Sequence, residues 1–250
     1  MMMKKRRRRT NKLNLLEEAY EVCSDYPLTQ TQRGIFVESV ANAGTTIYNI
    51  PFLFRLSDKV DLQRLKTAVE NTINAHPYVK TTLFLNDQGD VRAARNDDRK
   101  PEVEMIVCGK VPSNEELVLP YEMLGDRLYR AKIYQTGDGN YLFLDFHHII
   151  SDGTSERIII RDINRAYEGE MLETERYSGF EIALDEEKLR RTDAYEKAKK
   201  YYDSVFEGID SNFLPPKDGN ASVEVPGEIS FVSEISVEEV KAYCQKNELR

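Results

Sequence analysis

The feature that most constrains the fold is a pair of β-rich segments, residues 128–134 and 140–147, in which apolar residues recur at alternate positions. The turn-forming residues Thr-Gly-Asp-Gly at 136–139 separate them. This pattern predicts an antiparallel hairpin. A helical pattern follows from Thr154 to Tyr167, and its predicted buried side is formed by Ile158, Ile159, Ile163 and Tyr167.

Helical and strand patterns also alternate along the rest of the chain. The clearest helix runs from Asp61 to Ala75, because Asp61 can cap its start and Pro77 prevents its continuation. The remaining predictions are helices at 30–40, at 185–206 and from Ser236, and strands at 48–56, 78–85, 103–107 and 228–235. We therefore predict an α/β fold, an α+β two-layer sandwich with a mixed sheet covered by helices.

Composition excludes several classes of protein. The net charge is −8 and the pI about 5.2, which excludes a general nucleic-acid binder. The basic run at 4–9 is interpreted as a solvated terminus, with docking to an acidic partner as the alternative. The sequence has no long apolar run for a membrane span and no secretory signal. Three widely spaced cysteines indicate a reduced cytoplasmic protein without a zinc site.

Residues 147–153 read His-His-Ile-Ile-Ser-Asp-Gly, and they contain two of the three histidines in the chain. Side chains alternate across a strand, so His147 would share one face with Asp145, and His148 would lie on the other. The two histidines are therefore not expected to chelate one metal ion, and we predict no metal site. One imidazole is free to face a cavity, where it could act as a general base or orient a nucleophile.

The acidic and glycine residues of this segment stand where the next helix begins. The helix dipole favours the carboxylate of Asp152, and Gly153 would let a substrate approach the backbone closely. If Asp152 is buried it needs a partner, and Arg130 on the hairpin is the expected one, although Asp145 competes for it. Such a pair would be a structural brace, because arginine cannot act as a base.

The segment at 147–153 resembles the HHxxxDG motif of condensation domains of nonribosomal peptide synthetases, which belong to the chloramphenicol-acetyltransferase-like superfamily. Five further segments resemble this family in the same order: the opening motif at 26–35, the first core strand at 48–51, the RHxxLR segment at 74–81, the arginine-bearing strand at 128–131 and the long helix at 195–208. Some residues depart from the family pattern, namely Ala75 and Lys80 at the two arginines, Thr154 at an aromatic position and Tyr201 and Tyr202 where a tryptophan is common. His76 keeps its place, and we expect a structural role for it.

The resemblance implies a chloramphenicol-acetyltransferase-like lobe and a reaction that joins a donor acyl thioester to an acceptor amine. Both substrates would ride on phosphopantetheine arms of donor and acceptor carrier domains, with no cofactor bound directly. His148 would be the catalytic histidine, His147 and Asp152 would be mainly structural, and Gly153 would line the thioester site. An adenylation domain is expected downstream.

The resemblance also implies a domain organisation. Residues 1–24 would be a basic tail or docking segment, residues 25–180 the N-terminal lobe, and residues 181–250 a linker helix and the start of a truncated C-terminal lobe. We therefore expect the isolated chain to be inactive or nearly so. A related acyltransferase, an epimerisation domain, a starter domain that acylates the first amino acid and a noncatalytic docking lobe remain alternatives.

Overall fold

The computed structural model of the chain describes residues 25–209 and 235–247, which fall into one unit ending at Tyr201 and a second beginning at Tyr202. The basic run at 4–9 and residues 228–234 of the predicted strand at 228–235 lie outside these residues. The strands are β1 (Asp25–Tyr26), β2 (Asn49–Arg55), β3 (Thr82–Leu85), β4 (Val91–Ala94), β5 (Glu104–Val107), β6 (Tyr129–Gln135) and β7 (Asn140–His147). The helices are α1 (Gln30–Ala41), α2 (Leu62–Ala75), α3 (Asn114–Leu117), α4 (Gly153–Tyr167), α5 (Gly179–Leu189), α6 (Asp193–Val205) and α7 (Val237–Lys246).

The predicted hairpin forms the centre of a four-stranded sheet with the order β2-β7-β6-β5. β7 pairs antiparallel with both β2 and β6, and β5 adds to β6 in the parallel direction. Strand β7 is buried along most of its length, including Phe143 and Leu144, so both of its faces are covered. The motif at 147–153 thus begins at the end of a central strand.

Helices α2 and α4 pack against each other and contribute to the same core as the sheet. Asp61 caps α2 by accepting hydrogen bonds from the N–H groups of Gln63 and Arg64, as the sequence predicts. A second sheet of three short strands has the order β1-β4-β3. The mixed α/β arrangement of sheets and covering helices confirms the predicted fold class.

Two predicted elements are wrong in their extent. The strand predicted from residue 78 starts only at Thr82, because Pro77 opens a 3-10 turn at Pro77–Lys80. The single helix predicted at 185–206 is two helices, α5 and α6. The hydroxyl of Thr192 donates to the Leu189 carbonyl at 2.7 Å and closes the end of α5, and its oxygen accepts the N–H of Tyr195 at 3.3 Å.

The buried side of α4 also differs from the prediction. Ile159 and Ile163 are buried as expected, but the side includes two acidic residues, Glu156 and Asp162. Within the described residues, none of the helices is long and apolar enough to span a bilayer.

Candidate active site

The two histidines of the motif have different surroundings, as the sequence predicts. His147 is 4% exposed, and its Nδ1 accepts the N–H of Ile149 at 3.1 Å. Its Nε2 therefore carries the hydrogen, which it donates to Ser39 Oγ at 3.3 Å. Burial, with the nearby charge of His148 second, lowers the pKa of His147 to about 4. This imidazole is neutral at pH 7 and supports the turn that follows the strand.

His148 lies beyond the end of β7, in the turn, and its side chain is exposed. Its backbone N–H donates to the carbonyl of Tyr48 at 2.8 Å, and its ring meets the ring of Tyr48 edge-on at 6.3 Å between centroids. The turn, rather than continued strand alternation, is what separates it from His147. His148 lines a cavity of about 460 Å³, which His147 does not line.

The cavity is bounded by α1, the motif turn, α4 and the segment leading into α5. Its apolar lining comes mainly from Ile35, Val79, Ile158, Ile159 and Ile182, together with the ring of Tyr78. Burial raises the pKa of Tyr78 to about 12, so its hydroxyl is neutral and can act as a hydrogen-bonding group only. Of the three histidines in the chain, His148 and His76 line this cavity.

The side chain of His76, which also lines the cavity, is bound by two carboxylates. Its Nε2 lies 3.0 Å from Asp162 Oδ2, and its Nδ1 lies 3.3 Å from Glu175 Oε2. Burial lowers the pKa of His76, but the hydrogen bonds that the imidazole donates to Glu175 and Asp162 outweigh the effect of burial, and the net pKa is raised. The imidazole thus binds two side-chain carboxylates, and these contacts support the proposal of a structural role for His76.

Asp152 caps α4 instead of forming a buried brace. It is exposed, and its Oδ1 accepts the N–H groups of Thr154 at 3.1 Å and Ser155 at 2.8 Å. The hydrogen bonds from Ser155 lower the pKa of Asp152. These two N–H groups are therefore engaged and do not form a free anion site. Gly153 is exposed in the first turn of α4, and a Cβ there would meet no atom within 4 Å.

The predicted pair between Arg130 and Asp152 does not form, because Arg130 binds Asp145. Its Nη1 lies 2.9 Å from Asp145 Oδ2, since the two residues are directly opposite in the β6–β7 ladder. Asp145 is fully buried, and its Oδ2 also accepts the side-chain N–H of Asn49 at 2.8 Å. The guanidinium stacks on Tyr121 at 3.8 Å and donates to the carbonyls of Leu119 and Pro120. Arg130 is thus a structural brace, but it stabilises strand β7 through Asp145 and not the start of α4 through Asp152.

Two residues of this region, Gln32 and Glu156, were not predicted from the sequence. Gln32 completes the capping box of α1 with Thr29, and its Nε2 also donates to the carbonyl of Ile149 at 3.0 Å and to Tyr78 Oη. The capping-box spacing was a usable signal for it. Glu156 is buried on α4 one turn after Asp152, and its position between Ser155 and Arg157 gave no signal of burial. Among described residues, we find no cluster of ligands suited to a metal ion.

A family profile described as Condensation domain matches residues 22–247, most of the chain. The chain belongs to the condensation domain family. Surfactin synthase subunit 2 of Bacillus subtilis (strain 168) is 31% identical over 214 residues, which cover 84% of this chain and 6% of that protein. Gramicidin S synthase 2 of Aneurinibacillus migulanus is 27% identical over 191 residues, covering 72% of the chain and 4% of that protein.

Solved structures support the fold of this condensation domain. The condensation domain from Monacolin K polyketide synthase MokA superposes with a TM-score of 0.71 at 16% identity, over 92% of this chain and 57% of that one. The X-domain from teicoplanin biosynthesis gives a TM-score of 0.68 at 19% identity, over 81% and 48%. The predicted chloramphenicol-acetyltransferase-like fold is thereby confirmed. The chain spans about half the length of these structures and a small part of the two synthases.

Proposed function

We propose that this condensation domain forms an amide bond between a donor acyl thioester and an acceptor aminoacyl thioester, with His148 as the catalytic residue. The observation that supports this assignment is the placement of the two histidines. His148 is exposed at the cavity, whereas both ring nitrogens of His147 are occupied by Ile149 and Ser39. Of this pair, only His148 can reach a substrate in the cavity.

The proton balance of the reaction suits a single imidazole. The acceptor amine attacks the thioester carbonyl, the carbon–sulfur bond breaks, and one proton leaves nitrogen while one is needed by the departing thiolate. His148 would take the first proton and return it to sulfur, so no external acid or base is consumed. His147 and Asp152 would hold the turn and the start of α4, through the hydrogen bonds described above.

The residues that line the cavity indicate which part of a substrate it can hold. Isoleucine side chains, among them Ile158, Ile159 and Ile182, form an apolar part of the lining, beside polar residues that include Asp152 and Glu175. A charged substrate group placed against the isoleucines would lose hydration without a compensating partner, which is costly. We therefore propose that the cavity accommodates an apolar part of the donor or the acceptor.

We further propose that donor and acceptor are carried on phosphopantetheine arms of carrier domains, with an adenylation domain downstream. Residues 25–180 would form the first lobe, and residues 181–250 would lead into a second. The reaction would take place in the cytoplasm, in agreement with the free thiols of Cys108 and Cys244.

Replacing His148 tests the assignment. His148→Ala in the full-length polypeptide, assayed with loaded donor and acceptor carriers, should lower the rate of amide formation by about 100-fold or more, within the range for a proton-transfer group. His76→Ala is the matched control, because His76 lines the same cavity but is bound by carboxylates. A His148→Ala protein that folds normally and makes product at the wild-type rate would refute the catalytic role.

A further inference from the structure

Glu156 is a buried carboxyl group without a structural explanation. It lies in the first turns of α4, is 4% exposed, and its Oε1 has no hydrogen-bond partner among the residues that the structure describes. The other buried acids that the structure describes form ion pairs: Glu181 with Arg95, Asp145 with Arg130, and Asp162 with Arg161 and Arg165. Oδ1 of Asp145 also lacks a hydrogen-bond partner, but Oδ2 of that carboxylate binds Arg130. Burying an unpaired carboxyl group is unfavourable, so an apolar or amide side chain at this position would make a more stable helix.

Glu156 belongs to a group of three titratable side chains spaced four residues apart, His148, Asp152 and Glu156. The N–H of Glu156 donates to the carbonyl of Asp152 at 3.1 Å, which places the two residues one helical turn apart. Within the described residues, His148 and Asp152 are the charged groups that act on this carboxyl group. Asp152 is occupied by the N–H groups that it caps.

Burial raises the pKa of Glu156 to about 7, while the positive charge of His148 opposes this rise and the negative charge of Asp152 adds to it. The carboxyl group therefore changes charge near neutral pH. Glu156 does not line the cavity, whereas His148 does. The two charged groups that act on Glu156, His148 and Asp152, both line the cavity. Asp152 is occupied as the cap of α4, which leaves His148 as the group through which Glu156 would act.

We propose that Glu156 is a positioning residue of the condensation site, whose carboxylate stabilises the imidazolium of His148 while that ring carries the proton between amine and thiolate. The inference rests on the proposed function. No proton reaches Glu156 in this scheme, so the balance of the reaction is unchanged. The unpaired Oε1 is then a functional feature that is retained at the expense of stability.

Glu156→Gln tests this inference, because it keeps the size of the side chain and removes its charge. In the full-length polypeptide with loaded carriers, we expect kcat to fall about ten- to a hundredfold above pH about 7, with little change in KM. The difference should disappear at lower pH, where wild-type Glu156 is protonated. Glu168→Gln, at the exposed end of the same helix, is the matched control and should leave the rate unchanged.

Stability separates this role from a structural one. Because it removes a buried unpaired charge, Glu156→Gln should unfold at the same or a higher urea concentration than the wild type. A lower stability with an equal loss of rate at every pH would mean that Glu156 is structural, and would overturn the proposal. A wild-type rate for Glu156→Gln across the neutral range would overturn it as well.

A titration of the chain itself keeps the inference distinct from the proposed function. The side-chain carboxyl carbon of ¹³C-labelled Glu156, assigned by comparison with Glu156→Gln, should titrate near pH 7. In His148→Gln its midpoint should rise, because the imidazolium charge that lowers it is gone. An unchanged midpoint would refute the coupling even if His148→Ala abolishes amide formation. A raised midpoint together with an active His148→Ala protein would instead refute the proposed function.

Discussion

The contact between Gly179 and Tyr78 offers the sharpest test of the packing around the cavity. Gly179 is the first residue of α5, and a Cβ built on it would lie 2.6 Å from both Cε atoms of the Tyr78 ring. Ordinary contact begins at 3.4 Å and the Cζ atom of the ring lies closer still, so the overlap is at least 0.8 Å. The ring cannot easily move, because it packs edge-on against Phe180 at 4.7 Å and its hydroxyl binds Gln32.

We expect Gly179→Ala to lower the free energy of unfolding by about 1–3 kcal/mol, the usual cost of overpacking a rigid site. Gly34→Ala is the matched control, since Gly34 lies inside α1 and a Cβ there would meet no atom within 4 Å. That substitution should stabilise the chain by about 0.5–1 kcal/mol, because alanine is the better helix former. The two changes are chemically identical and should have opposite signs.

Urea unfolding followed by circular dichroism measures both variants, and a double-mutant cycle with Tyr78→Ala identifies the cause. In the Tyr78→Ala background the overlap is absent, so Gly179→Ala should cost about nothing, and the coupling energy should be about 1 kcal/mol or more. Equal stability of Gly179→Ala and Gly34→Ala would contradict the steric reasoning. So would a Gly179→Ala cost that persists without the tyrosine ring.

Three further predictions concern buried charges. The pKa of His147 is lowered to about 4, so its contribution to the free energy of unfolding is complete above pH about 6.5 and is lost as pH falls through about 4. This loss is at most about 3 kcal/mol. His147→Asn should flatten the loss when urea unfolding is measured against pH. Arg130→Met should cost about 3–5 kcal/mol in the same assay, because Asp145 stays buried without its cation, and adding Asp145→Asn should recover part of it. The net pKa of His76 is raised, so its stabilisation by Glu175 is present at pH below about 6.5 and is lost as pH rises through the raised pKa. His76→Gln should remove this dependence of the free energy of unfolding on pH. An unchanged pH profile of unfolding in His76→Gln would contradict the prediction.

Local patterns in the sequence were enough to predict the elements that depend on neighbouring residues. The hairpin of β6 and β7, the helix α2 with its Asp61 cap, and the helix that begins after Ser236 all appear where the sequence places them. Alternation and capping act over a few residues, so the sequence states them directly. The same locality explains why the motif at 147–153 could be located at the end of a strand, although the turn and not the alternation separates its two histidines.

Contacts between distant segments could not be predicted from local patterns in the sequence. The partner of Arg130 depended on the strand register, which places it opposite Asp145, and a shift of one residue would have changed the pairing. The burial of Glu156 depended on which side of α4 meets its neighbours.

The sequence by itself therefore determined the family and the strand and helix that flank the motif. Only the tertiary structure decided that His148 borders the cavity, that Asp152 is a helix cap and that Glu156 is buried without a partner for Oε1 among the described residues. The reason is physical. Backbone periodicity is set by each residue and its neighbours, whereas burial and charge pairing are set by how separate elements pack together.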